Sequence, residues 1–501
     1  LISGQSLPKA ALPSPATFSV LLNENENARF KSDWLILKEI ASRKNINFSI
    51  RTIPDNQYGK MLSEVLSSGT IPDIVLKVWP EQITGFSSAG ILLPISDYEH
   101  LMPNFQRYIQ ENNLKEELDA LKDEKGKYYI LPGFQREIQV QQWIYRKDLF
   151  DRYKIPTPKT YDDLYRALLI LKEKFPSSKP ISACWGGAHL FAMMGAGFGI
   201  PAGWNGDRLY DKVSDSWKYS PATRNWQEMV RFLAQCYKAG LLDPEVFTQE
   251  PDPYYKKLVD NTSFVTVTWI SSGFSKWNQQ LADNGYPQAI WEPLMVLKSP
   301  VGIQALPGVS RFRKGTVLPV RVIREPYFRR LLEFLDWIYY SNEGQILATW
   351  GVAGTTFSIM NNTRSYLPTI RSTANPGALL EPGRDFGLAI VWDLCELPDF
   401  EDSKKPPKIA KFLNDVLSKN LTEKLAPTLT LSLESINALK VFSGDIQAYS
   451  NEMLKSFITG QADIDKDWNA YVATLEKMGF REMEKIWNVA WKGSQDALKK
   501  R

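Results

Sequence analysis

The chain has 501 residues, more than one hydrophobic core organises, so two or three compact units are expected. Hydrophobic residues make up 44% and charged residues 23%, the balance of an ordinary globular chain, and a formal charge of +4 is too small to argue for nucleic acid as a partner. No apolar run approaches the roughly 18 residues that span a bilayer.

From the amino end, LISGQSLPKAALPSPAT is rich in Pro, Ser and Ala and reads as a flexible tether. Ile2-Ser3-Gly4 has the small-residue look of a lipoprotein cleavage site, but Gln5 stands where the acylated cysteine would be, so a mature or trimmed chain is expected. TFSVLL (17–22), INFSIRTI (46–53) and IPDIVLKV (71–78) read as strands. Between them run two amphipathic helices, one with Trp34, Leu37 and Ile40 and ended by Asn45, the other with Tyr58, Leu62 and Val65 and stopped by Gly69. Strand, helix, strand, helix, strand in this spacing predicts a parallel sheet with right-handed crossovers. Ligands on such sheets sit beyond the carboxyl ends of the strands, which places the loop NENEN (23–27) and the loop beginning at Trp79 on the ligand side.

Further along, QVQQWIYR contains a strand, and Thr160 starts a helix with Asp162 and Asp163 in its first turn, where the dipole favours them. In SACWGGAHLFAMMGAGFGIPAGWNG (182–206), Gly195, Gly197 and Gly199 suggest a dinucleotide loop, but Ile200 occupies the last glycine position of GxGxxG and no clear strand precedes it. Trp226, Met229, Val230, Leu233, Cys236 and Tyr237 then repeat at helical spacing. Gly240 closes that helix, Asp243 caps the next turn and Pro244 takes its first position. NTSFVTVTWISSGFSKW (261–277) predicts a buried strand ending at Trp269 and a helix starting at Ser271 or Ser272, and TVLPVRVI (316–323) a second crossing strand. Arg321, Arg324, Arg329 and Arg330 form a basic cluster that reads as a solvated face, with a contribution to acidic sugars as the minority reading. The closing helix carries Trp468, Tyr471, Val472, Leu475 and Met478 and is stopped by Gly479.

Six of these phrases, in this order, resemble the extracellular solute-binding proteins of ABC importers. They are SSGTIPDIV with SAGILLPISDY; YYILPGFQREIQVQQWIYRKDLFDRYKIPTPKTYDDLYRAL; YKAGLLDPEVF; FVTVTW; EFLDWIYYSNEGQILATWGVAGTTF; and DWNAYVATLEKMGFREMEKIWNVAW. The resemblance spans residues 17 to about 490 and points to the oligosaccharide-binding branch, near alginate-oligosaccharide-binding and LipO-like lipoproteins. It implies a type II periplasmic-binding-protein-like α/β fold: two lobes, joined by a hinge of crossing strands near 137–142 and 318–322, with a ligand cleft between them. The lobes would be 1–138 with 321–378, and 139–320 with 379–501. It implies capture of an oligosaccharide, acidic ones included, and delivery to the transmembrane subunits of a permease. The protein would be exported, periplasmic or lipid-anchored on the outer face of the cytoplasmic membrane, and monomeric. Relatives in that branch carry a calcium loop after the helix that here ends in LKEKFPSSKPISA (171–183). Ser177, Ser178 and Lys179 lack the oxygens such a loop supplies, so no metal or other cofactor is expected.

The chemistry agrees with binding rather than catalysis. With only His100 and His189, no His-based triad or HExxH site can be built, and no GxSxG or P-loop occurs. Cys184, Cys236 and Cys395 form no metal-binding spacing. The alternatives are a polysaccharide-active enzyme using a carboxylate pair, or a sugar-sensing or adhesion lipoprotein. A sugar site needs aromatic faces for C–H surfaces and amide, carboxylate or guanidinium groups for hydroxyl edges. The chain offers 16 tryptophans. Trp34, Trp226, Trp337, Trp468 and Trp487 lie on helix faces and, with Trp143, read as core. The candidate ligand-binding residues are Asn23, Glu26, Trp79, Gln135, Arg136, Trp204, Asn205, Trp269, Asp385, Trp392 and Asp393, with Trp269 and Trp392 ranked first.

Overall fold

A computed structural model describes residues 14–499 except 124, 135–140, 204–205, 270–273, 309–310, 313, 406, 425, 428 and 430. The chain divides into two compact units, Leu1–Glu137 with Ser310–Pro406, and Ile138–Val309 with Pro407–Arg501.

Unit 1 opens as its sequence predicts, with β1 (Ala16–Glu24), α1 (Leu35–Lys44), β2 (Ile46–Pro54), α2 (Asp55–Ser67) and β3 (Ile74–Val78). The strands pair in parallel in the order β2-β1-β3, and the short strand Gly315–Val317 adds to β3 antiparallel. Both faces of this sheet are covered, which explains the near-continuous apolar strands. Phe18, Val20 and Leu22 pack with Ile74, Leu76 and the helix Phe328–Tyr340, while Leu21, Ile53 and Val75 pack with Tyr58, Leu62 and Val65 of α2. Asn45 ends α1 in the left-handed region at φ 53°, its N–H donating to the Ala41 carbonyl at 2.9 Å.

The unit boundaries differ from those expected at 320/321 and 378/379. Gly315–Val317 pairs with β3, so the segment from 310 belongs to unit 1. Val391, Trp392, Leu394 and Cys395 fill the same core as Phe18 and Phe334, which brings 379–406, and with it Asp385 and Asp393, into unit 1. The second crossing strand is also shorter than the expected 316–323. Pro319 has no N–H to continue the ladder, and a 3-10 turn, Val320–Arg324, follows.

Of the basic cluster, Arg321 and Arg330 are tied into the fold, while Arg324 and Arg329 are exposed as a solvated face. Arg321 reaches Asp73 at 2.9 Å and the Ile71 carbonyl at 2.6 Å, Arg330 donates to the Lys44 carbonyl at 2.7 Å, and Arg329 pairs with Glu333 at 2.9 Å.

Unit 2 is built on the antiparallel strands β4 (Gln141–Arg146), β5 (Val265–Trp269) and β6 (Trp291–Pro293), with β4 in the middle. Its helices include α3 (Tyr161–Lys174), α4 (Ala188–Gly197), α5 (Arg224–Lys238) and α6 (Leu433–Thr459). Thr160 and Asp163 form a reciprocal capping box on α3 at 3.0 and 3.1 Å. Arg166, Thr160 and the Lys159 amide hold the Asp163 carboxyl down to about 2. Gly195 and Gly197 are packing glycines inside α4: a Cβ on the first would stand 2.6 Å from the Ile200 carbonyl oxygen, and on the second 3.0 Å from the Tyr161 hydroxyl. The helix after β5 begins at Phe274, since residues 271 and 272 lie outside those described.

The corner at 224–247 follows its sequence closely. Gly240 sits at φ 69° and donates to Tyr237, while Leu241 donates to Cys236, both at 2.9 Å, a Schellman stop for α5. Asp243 accepts from the Glu245 amide at 3.1 Å and caps the turn Pro244–Phe247. Trp34, Trp143, Trp226, Trp337 and Trp487 are buried, and half-buried Trp468 packs 5.9 Å from Trp226.

Candidate ligand-binding residues

In unit 1 the polar ends of β1 and β3 lie at the same end of the sheet, because the register sets Leu21 opposite Val75. Asn23 is half-buried, and its Nδ2 donates to Asp55 at 2.6 Å. Its Oδ1 is buried and accepts from none of the described residues. A buried acceptor left in this state costs about 1–3 kcal/mol, which a ligand donor would recover. On β3, Lys77 takes a left-handed φ of 57° at the bulge and sends its ammonium to Asp393 at 3.3 Å. Two residues on, Trp79 is 38% exposed, with Phe312 edge-on at 6.5 Å and the Lys314 ammonium 5.9 Å from its ring. Glu26 is exposed in the loop after β1.

Two other expected residues stand elsewhere. Asp385 is half-buried, accepts from the Glu381 amide at 2.8 Å and pairs with Arg384 at 2.7 Å, which holds its carboxyl down to about 2. Asp385 lies inside the short helix Pro382–Phe386 and ties it back to the amide of Glu381 just before it. Trp392 is corrected outright as an exposed ring: it is 1% exposed and packs 5.2 Å from both Phe48 and Phe334. Its position before a charged loop suggested exposure, but the segment carrying it is part of the unit 1 core.

In unit 2, Trp269 is half-buried at the last position of β5, opposite Gln141. Its ring meets His189 edge-on at 5.8 Å, and His189 lies 4.7 Å from Trp185. Burial lowers the imidazole to about 4, so His189 is neutral at pH 7. Trp185 is 41% exposed and holds φ at 52°, followed by Gly186 at 62° and Gly187 at 75°. A large aromatic residue in that region carries strain of order 1–3 kcal/mol, and such strain gathers at binding loops. Sequence reasoning passed over Trp185, although a tryptophan followed by two glycines was the available signal. It also missed Lys77 and Lys314. Gln135, Arg136, Trp204 and Asn205 lie outside the described residues.

Among the described residues no group of His, Cys, Asp and Glu could hold a metal. In the stretch 171–183, the Ser178 carbonyl accepts from the Lys172 ammonium, and the Ser178 hydroxyl donates to the Phe175 carbonyl, both at 2.6 Å.

Residues 35–259 match the model of the bacterial extracellular solute-binding protein family. The chain is 22% identical, over 83% of its length and 79% of the relative's, to the fructooligosaccharide ABC transporter substrate-binding protein FusA of Streptococcus pneumoniae. The alginate-binding protein AlgQ2, solved without calcium ion, shares the fold with a TM-score of 0.73 at 18% identity, covering 96% of this chain and 98% of that one. An HMO-binding solute-binding protein of Bifidobacterium longum infantis does so with a TM-score of 0.74 at 16% identity, over 95% and 98%. The matched relatives are binding proteins of transporters, and the two-domain solute-binding fold extends over nearly the whole chain. Among the described residues no helix is long and apolar enough to cross a membrane.

Proposed function

We propose that the protein is the substrate-binding component of an ABC importer, that it captures an oligosaccharide between its two units, and that it passes the sugar unchanged to a membrane permease. One observation supports the sugar assignment: each unit presents an exposed tryptophan, Trp79 directly after β3 in unit 1 and Trp185 at a glycine turn against His189 in unit 2. Rings of this kind stack on the apolar faces of pyranoses, while Asn23, Asp393 and Lys77 suit hydroxyl edges. Lys77 and Lys314 near Trp79 extend the reading to acidic sugars. The protein works outside the cytoplasmic membrane as a monomer, periplasmic or lipid-anchored.

Closure of two units around a ligand that contacts both is the expected mechanism. A thermal-shift screen over neutral and acidic oligosaccharides, followed by small-angle scattering at saturation, tests it. Stabilisation by an oligosaccharide, compaction on binding and recovery of intact sugar are expected. Cleaved sugar would make the protein an enzyme, and an unchanged radius at saturation would remove closure.

Replacing Trp185 or Trp269 by Ala should each weaken sugar binding by about 1–3 kcal/mol. Trp185→Ala should leave stability within about 1 kcal/mol, since the ring is exposed and its backbone strained. Calorimetric titration and urea unfolding, run side by side, check this. A lost fold with intact affinity in the folded fraction would mark either ring as structural.

We also infer calcium independence, with the Lys172 ammonium holding the Ser178 carbonyl. EDTA should change neither the melting temperature nor the sugar affinity. A fall of several degrees that Ca²⁺ restores would show a site elsewhere.

A further inference from the structure

Unit 2 contains a cavity of about 520 Å³, formed wholly by its own residues and separate from the strand ends described above. Close-packed interiors leave few voids larger than a water molecule, whereas small-molecule sites run to about 300–1,000 Å³. The lining has two chemistries. Phe191, Tyr219 and Trp226 give an aromatic floor, all three buried in the core. The Tyr219 hydroxyl is tied to Ser450 of α6 at 2.8 Å, which fixes the floor to that helix. Gln447 and Asn451, exposed one turn apart on α6, supply amides at the rim. The opposite wall comes from the glycine-rich segment that also carries Trp185. At Gly203, φ 57°, a Cβ would stand 2.2 Å from the Ala188 carbonyl oxygen, so no side chain fits at that position.

We infer that this cavity is a second saccharide subsite, confined to unit 2, which takes one neutral sugar residue at an end or branch of the bound oligosaccharide. This rests on the oligosaccharide-binding reading above. An aromatic floor with amides at the rim matches a pyranose, whose faces are apolar and whose edges are hydroxyls. Among the described residues the charges lining the cavity are Asp207 and Glu452 against Lys455, an excess of one negative charge. A uronic acid is therefore disfavoured here, whereas hydroxyl donors find carboxylate acceptors. Gly186 and Ala188, the first and third residues after Trp185, line the cavity.

The experiment uses the full chain and calorimetric titration with a panel of oligosaccharides, including pairs that differ only in a neutral or a uronic terminal residue. Three variants are compared with the parent: Gln447→Ala with Asn451→Ala, Asn451→Trp to fill the mouth, and Trp185→Ala. Both changed rim positions are exposed on α6, so melting temperatures should hold within a few degrees. The parent should prefer the neutral terminus at least tenfold. Asn451→Trp should lose that preference together with at least tenfold in affinity, and the double alanine variant should lose about fivefold. Trp185→Ala should weaken binding while keeping the preference. Equal affinity of the parent and the rim variants for every sugar that binds overturns the subsite and leaves the transport reading standing. A parent that binds no sugar in the panel overturns both.

Discussion

Trp392→Ala should lower the unfolding free energy by about 3–5 kcal/mol, the range for deleting a buried tryptophan. The indole is 1% exposed and fits between Phe48, Phe334 and Tyr339, with centroids at 5.2, 5.2 and 6.0 Å. Nothing nearby can collapse far enough to refill the space, because the sheet and the helix Phe328–Tyr340 set the distance between those rings. Trp392→Phe should recover much of the loss, since the indole Nε1 has no hydrogen-bond partner among the described residues and its removal costs no bond. Urea unfolding of both variants gives the comparison. A loss below about 1 kcal/mol for the alanine variant, with sugar affinity gone, would return Trp392 to the binding residues.

Asp243→Ala should be comparably damaging, about 3–5 kcal/mol, the range for removing one partner of a buried ion pair. Asp243 is 1% exposed, and its carboxylate receives the Lys257 ammonium and the Ser182 hydroxyl, both at 2.6 Å, besides the Glu245 amide. Gln249 bridges this group to Ala183 and Ser182. The network therefore anchors residues 182 and 183, immediately before the strained turn at Trp185. Asp243 acts as a positioning residue in this arrangement, and Asp243→Ala should weaken sugar binding as well as folding. Asp243→Asn, which keeps an acceptor but not the charge, should fall between. If folded Asp243→Ala protein binds sugar as tightly as the parent, the link from this corner to Trp185 does not exist.

That corner shows how far the sequence reaches. Gly240, Asp243 and Pro244 are read correctly as a helix stop and a capped turn, because those roles are local and each follows from one residue's own geometry. The further role of Asp243 depends on Ser182 and Lys257, 61 and 14 residues away, and no periodicity encodes such meetings. The parallel sheet is legible for the same local reason, since alternating apolar strands and amphipathic helices leave a pattern in the chain. Tryptophans on helix faces are assigned to the core by their spacing, and all but half-buried Trp468 are fully so. Trp392 belongs to no regular element, so no period marks its burial. Trp185 is missed for the converse reason: it lies in a turn of three successive left-handed residues that no periodicity marks. Lys77 is hidden inside an apparently regular strand, where only the bulge reveals that its side chain leaves the expected direction.

Cys184, Cys236 and Cys395 are all buried and none is in a disulfide. Burial pushes the Cys184 thiol up to about 12 and raises that of Cys236 as well, so these two present little reactive thiolate in the native protein. Alkylation can then proceed only through opening of the surrounding structure, and its rate measures how often that happens. Cys395 reports on unit 1, and Cys236, in the heart of the other core, on unit 2. The chain thus carries its own pair of clocks, with which the breathing of its two halves can be timed separately without adding a single label site.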